Sequence, residues 1–214
     1  MGGRPSRSRR VGRALLLALA ALSIGPAAAF AHPLGNFTIN HFAGIRISTD
    51  RVALDVVIDR AEIPTFQERQ QLDTDGDGTV SPAEIEAARQ VACQALSSDL
   101  WLTVAGERAQ LNVTEAGLSF PPGAGGLSTM RLVCEYTTAV ATQASARTAV
   151  AFEDRTFAER IGWREIVVLG DGVTLTGAPA GSDPAGVSKR LTTYPTELLA
   201  QPLDRRSMSV SAVA

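Results

Sequence analysis

The 214-residue sequence contains few histidines, cysteines and aromatic residues. It has two histidines, two cysteines and 5% Phe, Trp and Tyr, with a formal net charge of −2. Two histidines leave few general bases, and the sequence has no Gly-x-Ser-x-Gly, His-Glu-x-x-His or phosphate-loop pattern. A net negative charge argues against binding to nucleic acid. We therefore predict a protein that binds a ligand, not an enzyme and not a nucleic-acid-binding protein.

The sequence also lacks an apolar run long enough to span a membrane. Its longest apolar stretch, residues 14–24, follows five arginines and is followed by the helix breaker Gly25-Pro26. The small-x-small pattern Ala29-Phe30-Ala31 then predicts cleavage of a signal peptide, residues 1–31, before His32. Without the five arginines the net charge becomes about −7. We expect an exported protein, in the periplasm, at the cell surface or secreted, with no transmembrane span of its own after processing.

Cys93 and Cys134 are the only cysteines, and they do not have the CxxC spacing of a metal or redox site. An oxidising compartment outside the cytoplasm favours a disulfide between them. The alternative is a pair of buried free thiols that pack as small apolar groups. We predict the disulfide, between Cys93 late in a helix and Cys134 in a strand.

The most informative segment runs from Asp73 to Glu84, and it fits every position of a twelve-residue EF-hand calcium loop. Ca²⁺ prefers six to eight oxygen ligands, and Gly78 occupies the sixth position, where the chain must turn sharply. The alternative is an acidic, glycine-rich surface turn, which needs neither a glutamate at the twelfth position nor helices on both sides. The predicted ligands of a bound Ca²⁺ are Asp73, Asp75, Asp77, the carbonyl of Thr79, Ser81 directly or through water, and Glu84.

Hydrophobic periodicity predicts strands on both sides of a helix pair. Residues 37–48 and 52–59 alternate apolar and polar side chains, which predicts a hairpin. The helices are predicted from Pro64 to the loop and from Pro82 to residue 97, and short strands separated by Gly and Pro turns follow from Leu100. The predicted fold class is mainly β, an antiparallel sandwich with an inserted helix-loop-helix EF-hand unit. The predicted boundaries are 1–31 for the signal peptide, 32–177 for the β-rich exported domain with the EF-hand insertion at 64–97, and 178–214 for a linker and short helical C-terminal tail.

Four segments besides the acidic loop form a distinctive set. They are AHPLGNFTINH at residues 31–41, AEIPTFQE at 61–68, FAERIGWREI at 157–166 and YPTELL at 194–199. Together they resemble the extracytoplasmic N-terminal domain of bacterial nickel/cobalt transporters of the high-affinity nickel-transport class. The resemblance implies an accessory domain with a membrane metal permease as its partner.

In that family the domain precedes a multi-span permease that carries a His-x₄-Asp signature, and this sequence contains no such segment. Because an ion path needs membrane-spanning elements, we expect that the chain is not itself a transporter. It is expected to be a shortened family member, a stand-alone exported subunit or the product of a reading frame interrupted after the domain.

The two histidines suggest a second metal site. Cleavage before His32 would leave an α-amine and an imidazole on one residue, and with His41 these form an all-nitrogen set suited to Ni²⁺, Co²⁺ or Cu²⁺. Pro33 removes the next backbone amide as a donor, so the side chains must supply the remaining ligands. The alternative is that His32 is solvent-exposed and that His41, on the apolar side of its strand, is a packed core histidine.

The predicted function is a calcium-binding extracytoplasmic accessory domain associated with nickel/cobalt transport. One alternative is a stand-alone exported EF-hand calcium-binding protein, and another is an exported hydrolase that uses carboxylates. A calcium sensor is less favoured, because sensors usually pair two loops and expose a Met-rich groove. This sequence has one loop and three methionines.

Overall fold

Two five-stranded β-sheets make up most of the structure, a computed structural model that describes residues 33–140, 147–177 and 183–214. The strands are β1 (Ile39–Ser48), β2 (Arg51–Arg60), β3 (Leu100–Val104), β4 (Glu107–Arg108), β5 (Asn112–Ser119), β6 (Met130–Ala139), β7 (Thr148–Asp154), β8 (Arg164–Asp171), β9 (Thr174–Thr176) and β10 (Ser207–Val213). The helices are α1 (Glu62–Leu72) and α2 (Pro82–Leu96). The prediction of a mainly β fold is confirmed, and the predicted signal peptide lies outside the described residues.

The first sheet has the strand order β5-β6-β2-β1-β8, and the second has the order β4-β3-β7-β10-β9. All neighbouring strands are antiparallel except β1 and β8, which pair in parallel with Ala43 opposite Ile166. The prediction of a purely antiparallel arrangement is wrong for this pair. Parallel strands need a crossover connection, and here the chain passes through the helices and most of the second sheet between β1 and β8.

The inner faces of the two sheets enclose one hydrophobic core. Alternate residues of β1 and β2 supply one side, because successive side chains of a strand point to opposite faces. β3, β7 and β10 supply the other side. The central members are Ile45, Ile47, Leu54, Val56, Leu100, Leu102, Phe152, Met208 and Val210.

The outer face of the first sheet is also buried, along β1 and β8. Phe42 and Val57 form a second apolar cluster there with Trp163, Val167 and Leu191. Leu191 comes from the C-terminal segment, which therefore covers this face. The alternating pattern of β1 predicted one buried face, and a covering segment far along the chain buries the other.

The carboxylate of Glu165 holds this covering segment in place. Its two oxygens accept the N–H groups of Val187 and Ser188 at 2.6 and 3.2 Å. The chain approaches so closely that a Cβ on Gly186 would lie 2.3 Å from Oε1 of Glu165. Gly186 also has φ = +68°, a conformation that glycine adopts readily and other residues rarely do.

The predicted linker and helical C-terminal tail over 178–214 is corrected by the structure. Residues 178–182 lie outside the described residues, 184–192 form turns, and Thr196–Leu198 is a single 3₁₀ turn. The last segment forms the strand β10, between β7 and β9. Its sequence alternates small polar and apolar residues, and the apolar ones, Met208, Val210 and Ala212, are buried in the core.

Candidate functional site

The acidic loop lies at the exposed end of the helix pair. The buried residues of α1 are all in its first turn: Glu62, Pro64 and Thr65. Those of α2, Cys93 and Leu96, are near its C-terminal end. Each helix is therefore anchored at the end remote from the loop. Neither helix has the length and hydropathy that a membrane span requires.

Ser81 and Glu84 together cap the start of α2. Glu84 N–H donates to the Ser81 hydroxyl at 3.3 Å, and Ser81 N–H donates to Oε2 of Glu84 at 2.8 Å. This reciprocal capping box satisfies two backbone donors that the helix leaves free, and Pro82 suits the first helical position. The twelfth residue of the loop is thus oriented by the helix that it begins.

Glu84 also reaches back to the beginning of the loop. Its Oε1 accepts the N–H of Thr74 at 2.5 Å and the Thr74 hydroxyl at 2.7 Å. The N–H of Ser81 and then these donors of Thr74 lower the pKa of Glu84 to about 2. The carboxylate is therefore ionised throughout the physiological pH range.

Asp73 organises the turn within the loop. Its Oδ1 accepts the N–H of Gly76 at 2.8 Å, and its Oδ2 accepts the N–H of Gly78 at 2.8 Å. Both glycines have positive φ, +73° and +88°, which is why the chain folds around the carboxylate without the steric penalty of a Cβ. The loop backbone consequently wraps around the side chain of its first residue.

Three of the predicted calcium ligands converge. Asp73, Asp75 and Glu84 each place one carboxylate oxygen within 4.8 Å of the other two, and no other set of three His, Cys, Asp or Glu residues in the described ranges does so. Oxygens at such separations can share one Ca²⁺, whose ligands lie at about 2.3–2.6 Å. The donor set is entirely carboxylate oxygen, which is the chemistry that this hard cation prefers.

The other three predicted ligands are adjacent to this group and make hydrogen bonds within the loop. Oδ1 of Asp77 accepts the N–H and the hydroxyl of Thr79, both at 2.7 Å. The Ser81 hydroxyl contacts Oε2 of Glu84 at 3.0 Å. Asp77 and Thr79 therefore bind each other, and Ser81 supports a carboxylate of the group.

The disulfide between Cys93 and Cys134 is confirmed, with the two Cα atoms 5.5 Å apart. It joins α2 to β6, and both cysteines are fully buried. The hydroxyl of Tyr136, also on β6, donates to the carbonyl of Cys93 at 2.7 Å. The helix that begins at the acidic loop is thus fastened to the first sheet.

A second group of charged side chains is buried between the sheets. Nδ1 of His41 lies 2.7 Å from Oδ2 of Asp154, and Nη1 of Arg164 lies 3.1 Å from the same nitrogen. Nη2 of Arg164 donates to the carbonyls of Thr156 and Phe157 at 3.0 and 2.9 Å. All three charged or titratable side chains are at most 5% exposed.

Burial lowers the pKa of His41 below its usual 6.5, against the attraction of Asp154, and Arg164 lowers it further. Burial alone would raise the pKa of Asp154, but hydrogen bonds from His41 and Thr156 outweigh it and keep that pKa below 3.8. Neutral His41 therefore lies between an ionised Asp154 and the permanently charged Arg164. The short contact with the carboxylate assigns the proton to Nδ1 of His41.

This arrangement makes stability depend on pH. Because unfolding restores the usual pKa of His41, the unfolded chain binds more protons below about pH 6.5. The contribution of His41 is complete above that pH and is lost as the pH falls towards the lower pKa of the folded state. We expect the free energy of unfolding to decrease on acidification by at most about 1.4 kcal/mol per pH unit from this residue.

Urea unfolding between pH 7.5 and 5 measures this slope, with His41→Asn as the matched variant. Asp59 contributes with the opposite sign, because burial outweighs the attraction of Arg131 and raises its pKa to about 7. Its contribution is therefore lost as the pH rises towards 7. The difference between wild type and variant isolates His41, and identical pH slopes for the two proteins would contradict the expectation.

His41 is part of this buried network, which agrees with the alternative interpretation of His41 as a packed core histidine. Its Nε2 is buried and has no hydrogen-bond partner within the part of the chain that the structure describes. His32 lies outside the described residues. The two-histidine site for Ni²⁺, Co²⁺ or Cu²⁺ stays a prediction.

A cleft of about 430 Å³ lies on the outer face of the first sheet. Asp55 and Glu135 line it from directly opposite positions on β2 and β6. Partial burial, and then the charges of Glu115 and Asp55, raise the pKa of Glu135. Asp55 accepts a hydrogen bond from Arg190 at 2.7 Å. The cleft therefore contains one carboxylate that holds a proton more readily than usual and one that is ion-paired.

The sequence did not reveal which residues contact Glu84 and His41. Thr74 occupies a loop position with no ligand role, and only the structure shows that it binds Glu84. Asp154 and Arg164 lie 113 and 123 residues from His41. An arginine inside a strand is no signal for such a group, since Arg46 lies inside β1 and is exposed.

Comparisons with known proteins add no assignment to this geometry. No protein-family model, curated protein or solved structure matches the chain. The relation to the nickel/cobalt transporter domain therefore stays a prediction from the sequence segments, and the acidic loop must be interpreted from its own geometry.

Proposed function

We propose that this protein is a calcium-binding extracytoplasmic accessory domain in which residues 62–96 act as a single EF-hand. The observation that carries the proposal is the convergence of Asp73, Asp75 and Glu84 at the exposed end of the helix pair. The role beside a nickel/cobalt permease rests on the sequence resemblance. This accessory role is the part of the proposal that the geometry of the acidic loop does not address.

Electrostatics favour a cation at this position. Three carboxylates with oxygens within 4.8 Å of one another repel, and the adjacent Asp77 adds a fourth negative charge. A divalent cation replaces this repulsion with attraction to every member. The carbonyl of Thr79 and water molecules at the exposed loop would complete the six to eight oxygens that Ca²⁺ requires.

The geometry also favours a calcium loop over an ordinary acidic turn. A surface turn needs no contact between its first and last residues, whereas Glu84 binds both the start of the loop at Thr74 and the helix cap at Ser81. α1 ends at Leu72, directly before the loop, and α2 begins at Pro82, the tenth loop position. Glu84 is therefore already placed beside Asp73 and Asp75, as a bidentate twelfth ligand must be.

Isothermal titration of Ca²⁺ into chelator-treated protein tests the proposal. A single exposed loop in an exported protein belongs with extracellular modules, so we expect a dissociation constant of about 10⁻⁴–10⁻³ M. Glu84→Gln should abolish measurable binding, because it removes the charged ligand. Glu86→Gln is the matched control, since Glu86 is exposed on the same helix and pairs with Arg89. Calcium binding by the Glu84 variant equal to wild type would refute the site.

The accessory role has its own test. We expect the tagged chain to co-purify with a nickel/cobalt permease when the two are produced together in membranes. Elution of the chain alone would leave the other binding role, a stand-alone exported EF-hand protein, as the better description.

The cleft between Asp55 and Glu135 favours a carboxylate hydrolase as the second candidate. Opposed carboxylates, one with a raised pKa, are the groups that glycoside hydrolysis uses. Two observations weigh against it: Asp55 is ion-paired with Arg190, and Glu135 is largely exposed to water. Turnover of nitrophenyl glycosides by wild type, lost in Glu135→Gln, would reverse the ranking.

A further inference from the structure

The two helices that border the acidic loop are tied to neighbouring strands. α1 follows β2 directly, and its Thr65 hydroxyl donates to the carbonyl of Arg60 at 3.0 Å. The side chain of Arg60 also forms an ion pair with Glu68 of α1. α2 is tied to β6 through the Cys93–Cys134 disulfide. Because β2 and β6 are adjacent in the first sheet, the sheet determines the distance between the anchored ends of the two helices.

The disulfide is the covalent attachment of α2 to the first sheet, and the helix also packs against β5. Cys93 is one of only two buried residues of this helix, and its carbonyl also accepts the Tyr136 hydroxyl. Towards the loop, the remaining polar attachment is the hydrogen bond from Arg89 to the carbonyl of Ala116, at 2.8 Å. The N-terminal end of the helix has no buried residue.

Glu84 lies on the same continuous helix, nine residues before Cys93. At a rise of 1.5 Å per residue, the two are about 13 Å apart along the helix axis. An α-helix is stiff over this length, so the attachment at Cys93 determines the position of Glu84 relative to the first sheet. Asp73 and Asp75 follow the other helix, α1, and their position depends on the attachment to β2.

We infer that the Cys93–Cys134 disulfide positions Glu84 for calcium, so that calcium affinity and the resistance of the disulfide to reduction depend on each other. The inference rests on the proposed calcium site. Without the bond, α2 samples more orientations, and calcium binding must restrict them, which weakens the apparent affinity. Two equilibria linked in this way change each other by the same factor.

The redox step is a thiol-disulfide exchange. A dithiol such as dithiothreitol supplies two electrons: the Sγ–Sγ bond between Cys93 and Cys134 breaks, and the reagent closes to a cyclic disulfide. The two protons of the reagent thiols end on the two cysteine thiols. No metal or further oxidant takes part.

The first measurement compares wild type with the double variant Cys93→Ala, Cys134→Ala by calcium titration. We expect the dissociation constant of the double variant to be at least about fivefold higher, a typical value for coupling between two sites. Equal dissociation constants would overturn the inference while leaving the calcium site intact. Absence of calcium binding by wild type would refute the calcium site and this inference together.

The second measurement uses the wild-type chain and does not depend on how the variant folds. Oxidised and reduced forms are equilibrated in dithiothreitol redox buffer, with 10 mM Ca²⁺ or with chelator, and circular dichroism monitors the fold. We expect calcium to disfavour reduction by the same factor, about 20 mV for fivefold. Glu84→Gln is the matched control, and its reduction should not respond to calcium. A calcium-independent equilibrium in wild type, or a reduced chain that unfolds globally, would overturn the inference.

Discussion

Addition of 10 mM Ca²⁺ to the chelator-treated protein should raise its melting temperature by roughly 3–10 °C. A ligand that binds only the folded state stabilises it by RT ln(1 + [L]/Kd), about 1.4–2.7 kcal/mol for dissociation constants of 10⁻³–10⁻⁴ M. For a domain of 150–250 residues, each kcal/mol shifts the melting temperature by about 2–4 °C. Differential scanning calorimetry with and without calcium measures the shift.

Controls separate a specific site from a general ionic effect. Mg²⁺ at the same concentration should produce a smaller shift, because it demands a tighter octahedral site and dehydrates reluctantly. Glu84→Gln should lose most of the response, whereas Glu86→Gln, on the exposed side of α2, should keep it. An unchanged melting temperature in wild-type protein at millimolar Ca²⁺ would count against the calcium site.

Replacement of Asp154 by alanine should destabilise the fold by roughly 3–5 kcal/mol. The substitution removes the acceptor of His41 and the buried ion-pair partner of Arg164, whose guanidinium then keeps only the exposed Asp204, 3.7 Å from its Nε. Breaking one side of a buried ion pair has a large effect, because the remaining charge is not solvated. Urea denaturation at neutral pH, followed by circular dichroism, measures the loss.

Glu153→Ala is the control for this substitution, since Glu153 is the adjacent residue of β7 and forms an exposed pair with Arg155. Exposed pairs contribute at most about 1 kcal/mol. The double variant Asp154→Ala, Arg164→Met should be less destabilised than the sum of its single variants, because it removes both charges together. A loss in Asp154→Ala no larger than in Glu153→Ala would show that the network does not stabilise the fold.

The features predictable from sequence are those whose determinants lie close together in the chain. The acidic loop spans twelve residues, so its carboxylates, its glycines and the cap at Ser81 can be recognised without knowledge of the fold. The hairpin of β1 and β2 has the same property. The disulfide was predictable for another reason: with only Cys93 and Cys134 present, one intramolecular pairing exists.

The features that escaped prediction depend on residues far apart in the chain. The parallel pairing of β1 with β8, and the contacts of His41 with Asp154 and Arg164, join positions more than a hundred residues apart. No local pattern specifies such partners. The covering of Phe42 by the C-terminal segment is a similar case, since the buried outer face of β1 depends on Leu191.

The position of β10 also constrains the order in which the chain can fold. β10 lies between β7 and β9, so the second sheet cannot close until residues 207–213 are available. Completion of the first sheet is delayed for the same reason, because β8, which pairs with β1, lies about 120 residues later in the chain. Contacts of such long sequence separation slow folding. A chain that emerges N-terminus first would therefore remain incompletely folded until residues 207–213 have emerged.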